Sequence, residues 1–121
     1  MEQKTSRIFE KGMKKSILQL QQEITSFIQT KRFVIDDKAI DFLKTAKNQL
    51  DFAALLADDI PIYKEITFTN DESWLKTLQQ FVDNLSIIID FLHYKYRPVN
   101  WKIDTHLRAA YVAICEAKCN L

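Results

Sequence analysis

Glycine is nearly missing from this chain: its 121 residues hold a single one, Gly12, alongside two prolines and two cysteines. Hairpins, phosphate-binding loops and tight turns rely on glycine, which reaches left-handed backbone conformations without a steric penalty. The shortage argues against a β-sheet protein and predicts an all-α one. It also excludes the Walker A and dinucleotide-binding fingerprints, which need several glycines at fixed spacing to bring backbone amides against phosphate. ATPase and Rossmann-type functions fall with them.

An excess of charge of one sign is missing as well. The 17 lysines and arginines against 16 aspartates and glutamates leave a formal net charge of +1. No global field draws the chain to nucleic acid or to an anionic membrane, and any such binding needs a local patch. Nowhere do ~18 apolar residues run without charges, and the opening MEQKTSRIFEKGMKK has no unbroken apolar stretch of the kind a signal peptide needs. The expected location is therefore cytoplasmic, inside the cell and off the membrane. Cys115 and Cys119 stand one helical turn apart, where a disulfide would distort the helix, so reduced thiols in a reducing compartment are expected.

What is present is a balance of 47% hydrophobic and 27% charged residues, the composition of one folded domain spanning residues 1–121. Helical periodicity dominates it. Phe9, Met13, Ile17, Leu20, Ile24 and Phe27 step by 4, 4, 3, 4 and 3, giving an amphipathic helix over about 6–31 with Gly12 inside the pattern. Asp36 then supplies an N-cap, flanked by Ile35 and Ile40 at the positions of a hydrophobic staple. The helix it opens, about 37–57, keeps Ala39, Leu43, Ala46, Leu50, Ala53 and Ala57 on one stripe. Phe52, Leu55 and Leu56 widen its apolar surface, so its last turns are expected to be buried on several sides.

A third helix, about 71–96, is expected to start from a capping box formed by Thr69 and Glu72 and to run through Leu78, Phe81, Leu85, Ile88 and Leu92 until Pro98 stops it. The fourth, about 101–120, takes Asn100 or Asp104 as its cap and carries Ile103, Leu107, Ala110, Ile114, Ala117 and Leu121. Together these predict a four-helix bundle.

The segment between helices 2 and 3, residues 58–70 (DDIPIYKEITFTN), has a different period. Ile60, Ile62, Ile66 and Phe68 alternate with more polar residues, as in an extended strap with one side pressed on the bundle; an edge strand that recruits a partner strand is the alternative. Fully extended it reaches ~40 Å at ~3.3 Å per residue, enough to cross the length of a helix and join helices 2 and 3 as a parallel pair.

Helix 3 carries more apolar surface than one core face uses. Leu85, Ile88 and Leu92 face one way, whereas Ile87, Phe91 and Tyr94 recur at helical spacing on another side. With Trp101 beyond the turn, these three predict a partner-binding surface, unless a parallel arrangement lets the apolar ends of helices 2 and 3 bury one another. Two basic patches stand apart: Arg7, Lys11, Lys14 and Lys15 at the start of helix 1, and Lys95, Arg97 and Lys102 interleaved with Tyr94, Tyr96 and Trp101. The second has the composition of a surface that stacks bases and pairs phosphates.

Chemistry is sparser. His106 lies nine residues before Cys115, about 13 Å along a helix at ~1.5 Å per residue, and His93 is on another helix, so neither a metal site nor a cofactor is expected. Folding helix 3 back on helix 4 sets His93 roughly opposite His106, with Asp90, Arg97, Asp104 and Arg108 nearby, although Asp83, Ser86, Asp90, His93 and Arg97 also read as a plain solvent-facing stripe. The arginine-to-histidine spacing of the HEPN-type helical ribonucleases is absent, since Arg97 is followed by no histidine before His106. No G-x-S-x-G occurs, and Cys115 sits in a helix body. The sequence thus predicts a non-catalytic protein-protein interaction module, a homo-oligomer, adaptor or regulatory subunit, whose partner is a second copy or a different chain. A nucleic-acid-binding accessory subunit is the alternative, and a helical nuclease a distant third.

Overall fold

The computed structural model describes residues 12–57, 66–69, 73–95 and 100–121, the side chains of Tyr94 and Lys95 excepted. Among these residues the chain forms four helices: α1 (Met13–Lys31), α2 (Asp37–Leu56), α3 (Trp74–Lys95) and α4 (Trp101–Cys119). They pack as an all-α four-helix bundle. Helix α1 begins later than expected, at Met13, with Gly12 in extended conformation just before it and not inside the helix; Arg7, Phe9 and Lys11 lie outside the described residues, as do Ile60, Ile62 and Tyr96.

The local signals act as their chemistry dictates at two of the helix starts. The Asp36 carboxylate accepts the Lys38 amide at 2.8 Å, with Ile35 and Ile40 both buried beside it. Asn100 accepts the amides of Lys102 and Ile103 at 3.1 and 3.2 Å, which leaves Asp104 for another task. Helix α3 differs from expectation. It starts at Trp74, with the Ser73 hydroxyl accepting the Lys76 amide at 3.3 Å. Thr69, the expected capping residue, is engaged instead by Gln80 of α3.

Every described position of the predicted core stripes is buried except Leu121, including Met13, Ile17, Leu20, Ile24 and Phe27 on α1 and Leu78, Phe81, Leu85, Ile88 and Leu92 on α3. Ser16 joins them, and its hydroxyl has no hydrogen-bond partner among the described residues.

Contacts between helices fix the topology. Five residues separate Lys31 from Asp37, which turns α2 back along α1. His106 of α4 bonds to Gln49 near the end of α2, so these helices run antiparallel. His93 near the end of α3 bonds to Asp104 near the start of α4, another antiparallel pair. Phe27 late in α1 meets Phe81 early in α3 at a ring separation of 5.9 Å. Helices α1 and α4 therefore point one way and α2 and α3 the other. Around the bundle the order is α1, α2, α4, α3, so the parallel helices α2 and α3 occupy a diagonal. The end of α2 and the start of α3 therefore lie at opposite ends of the bundle, as the crossover reading anticipated.

Two seams of contrasting build result. The α2–α4 seam is the most extensive helix pairing, and both of its helices carry buried alanines at helical spacing, Ala39, Ala46 and Ala53 on α2 and Ala110, Ala113 and Ala117 on α4. Small side chains let helix axes approach at the short end of the usual 8–10 Å range. The α1–α3 seam is the least extensive. Phe27 and Phe81 meet across it, and residues 66–69 are bonded to α3 beside it.

Candidate functional site

The up-down-down-up course gathers the start of α1, the ends of α2 and α3 and the start of α4 at one end of the bundle. Most of the predicted binding residues belong there, but in unequal states. Ile87 and Phe91 are half-buried and pack against the chain's own core. They recur with Asn84 at helical spacing, on the flank of α3 that receives residues 66–69. Trp101, in the first turn of α4, is 70% exposed. The side chain of Tyr94 lies outside the described residues.

The end of α2 overturns an expectation. Phe52 is 52% exposed, Leu55 75% and Leu56 36%. The apolar pattern predicts burial of these residues, with a parallel α3 as their cover. The diagonal placement explains the outcome: α3 does reach the same end of the bundle, but α4 stands beside α2 there. One face of Phe52 is partly occupied, stacked on the His106 imidazole with ring centroids 5.3 Å apart.

The basic residues follow the same topology. Lys14 and Lys15 are exposed in the first turn of α1, and Lys102 is exposed beside Trp101. The Lys95 side chain and Arg97 lie outside the described residues.

The second cluster of interest joins α3 to α4. The Asp104 carboxylate, its side chain 6% exposed, accepts Arg108 Nε on both oxygens at 3.0 and 3.1 Å. It also accepts His93 Nε2 at 2.7 Å. Arg108 Nη2 approaches the same histidine nitrogen at 3.3 Å. With the Nε2 proton committed to Asp104, that approach places two donors around one buried acceptor. Asp104 thus has the charge-assisted bonds a desolvated carboxylate requires, and the unit ties the two helices together near their connection. Asp90 is exposed and lines a shallow groove beside Arg108.

His106 is not part of this cluster. Two residues along an α-helix turn the side chain by about 200°, so His106 points away from Asp104 and toward α2, where its Nδ1–H donates to Gln49 Oε1 at 2.7 Å. The expected opposition of His93 and His106 does not occur. Cys115 is half-buried and Cys119 exposed, both as free thiols. Among the described residues no group of three or more histidine, cysteine or acidic side chains is arranged to hold a metal ion, and no helix is long and apolar enough to cross a membrane.

Sequence reasoning missed the exposed end of α2 and the pairing roles of Gln49, Gln80 and Asn84. The periodicity of LDFAALLA did signal surplus apolar surface, but only the helix order could say which part of it is left open. No family model, curated protein or solved structure matches this chain.

Proposed function

We propose that this protein is a non-catalytic protein-interaction module, binding a protein partner at the end of the bundle where α2 finishes and α4 begins. The observation that carries the reading is a run of exposed apolar side chains on successive turns of one helix, Phe52, Leu55 and Leu56 at the end of α2, with Trp101 on the first turn of α4; the opposite end of the bundle also exposes Phe33, Val34, Leu75 and Leu121, but from three separate parts of the chain. Contiguous apolar surface of this kind is costly to leave in water and marks association sites. The sequence surface centred on Ile87 and Phe91 contributes less, because both residues already spend part of their area within the chain.

His93 and Arg108 both bond to the buried Asp104 carboxylate, His93 from α3 and Arg108 from α4. Such a unit fastens helices.

The test is Leu55→Asp. The wild-type chain is expected to show either a dimer mass by light scattering that moderate salt does not change, or a monomer that retains a discrete protein partner on affinity capture. The variant should lose that association while keeping its helical circular dichroism. An unchanged mass together with an unchanged partner would sink the reading.

One observation favours a second reading. Exposed Lys14, Lys15, Trp101 and Lys102 all belong to this same end of the bundle, on the diagonal helices α1 and α4, so the described members of the two basic patches share one end. Binding of single-stranded nucleic acid there would weaken steeply from low to moderate salt, because each phosphate contact releases counterions.

A further inference from the structure

Residues 66–69 lie along α3 in a particular way. Asn84 pairs with both backbone groups of Thr67, its Nδ2 donating to the carbonyl at 2.8 Å and its Oδ1 accepting the amide at 3.3 Å. One helical turn earlier, Gln80 does the same for Thr69, donating to the carbonyl at 3.1 Å and accepting the amide at 2.9 Å. The registers agree because two residues of extended chain advance ~6.6 Å and four residues of helix ~6.0 Å. The intervening side chains turn inward: Ile66 is buried and Phe68 is half-buried with its ring 6.4 Å from that of Phe81. The helix thus reads the backbone of the segment, which any sequence offers, while two apolar positions supply selectivity. This is the division of labour by which sheet edges bind peptides.

The segment does not fill its groove. A cavity of about 170 Å³ opens beside Phe68, lined by Phe27, Lys31, Trp74 and Phe81. The bonds between Gln80 and Thr69 are also exposed to water, so this end of the segment is held by contacts that open readily.

We infer that the α1–α3 groove is a receptor for an extended segment of a partner protein, apolar at alternate positions with a bulky aromatic at the second, and that residues 66–69 are its tethered occupant. Tethering sets the competition. Because residues 66–69 belong to the same chain, their docking is intramolecular and carries a high effective concentration. The same segment from a second copy would make identical contacts without that advantage. A successful competitor must add contacts, and the cavity beside Phe68 is where they are available. This surface is distinct from the α2–α4 end, and its failure would leave the proposed function untouched.

The experiment uses two synthetic peptides, one with the sequence of residues 62–70 and one carrying Phe68→Trp. They are titrated against the full chain bearing Ile66→Ser and Phe68→Ser, whose own segment lacks both anchors. Both peptides should bind, the tryptophan form roughly tenfold tighter for its extra buried area. Adding Asn84→Ala should weaken binding roughly tenfold, and the wild-type chain should bind far more weakly than the anchorless one. Absence of binding to the folded variant, indifference to Asn84→Ala, or equal binding to the wild-type chain would each overturn the inference. So would a dimer that depends on Phe68, which would assign the groove to a second copy. If the anchorless variant does not fold, hydrogen exchange on the wild-type chain decides. The Thr67 and Thr69 amides should exchange at least roughly tenfold faster than core amides of α4. Exchange only through global unfolding would make the segment a fixed part of the core and end the proposal.

Discussion

The two seams of this bundle solve one packing problem in opposite ways. Between α2 and α4, alanines recur along both faces, and the helices meet directly over most of their length. Between α1 and α3 the side chains are large, direct contact is least, and a stretch of non-helical chain is bonded along the gap by side-chain amides. Side-chain volume at the contact positions sets how near two helix axes come. Where that volume holds the axes apart, a third element can enter. The α2–α4 seam leaves no such space, and the α1–α3 seam holds residues 66–69.

The difference can be broken from either side. The largest effect is expected from Phe81→Ala in the wide seam, which removes the ring that meets both Phe27 and Phe68. Chemical denaturation should report a loss of about 3–5 kcal/mol, whereas a loss under 1 kcal/mol would mean that the seam was never closely packed. Ala110→Leu attacks the tight seam by the opposite means, adding volume where none is free. A cost of about 1–3 kcal/mol is expected there; a neutral result would show that α2 and α4 have room between them and would erase the contrast. The smallest effect is Asp36→Ala, which removes the cap of α2 without touching either seam. It should cost about 1 kcal/mol with no change in the cooperativity of the unfolding transition.

Much of the fold was legible because helix periodicity and caps are local signals. The stripes on all four helices, the Asp36 cap and the Asn100 cap follow from residues within a turn or two of one another. The start of α3 was not legible: Thr69 and Glu72 have capping-box spacing, but Thr69 is held by Gln80, eleven positions away, and Ser73 takes the cap. The amides of Gln80 and Asn84 read as ordinary polar positions on a helix, since nothing local distinguishes an amide facing water from one facing a backbone.

For the candidate site, sequence identified surplus apolar surface at the ends of both α2 and α3, but not how each would be met. Ile87 and Phe91 pack against the core; Leu55 stays largely uncovered, and Phe52 and Leu56 are covered only in part. That outcome depends on α2 and α3 lying diagonally, which is a property of the whole bundle. The His93 cluster was half legible. The hairpin brought Asp104 and Arg108 to His93 as expected, and the helical turn carried His106 away.

The order of the helices also governs how the chain assembles as it is made. The inner face of α2 closes on α4, and the pair Gln49 and His106 that marks this seam is separated by 57 positions. At ~5–20 residues per second of synthesis, roughly 3–11 s pass between the two. Through that interval α2 has α1 beside it, but its alanine-lined face has no partner. The most extensive surface in the finished bundle is thus the last to be covered, and the nascent chain depends on how long that face can wait.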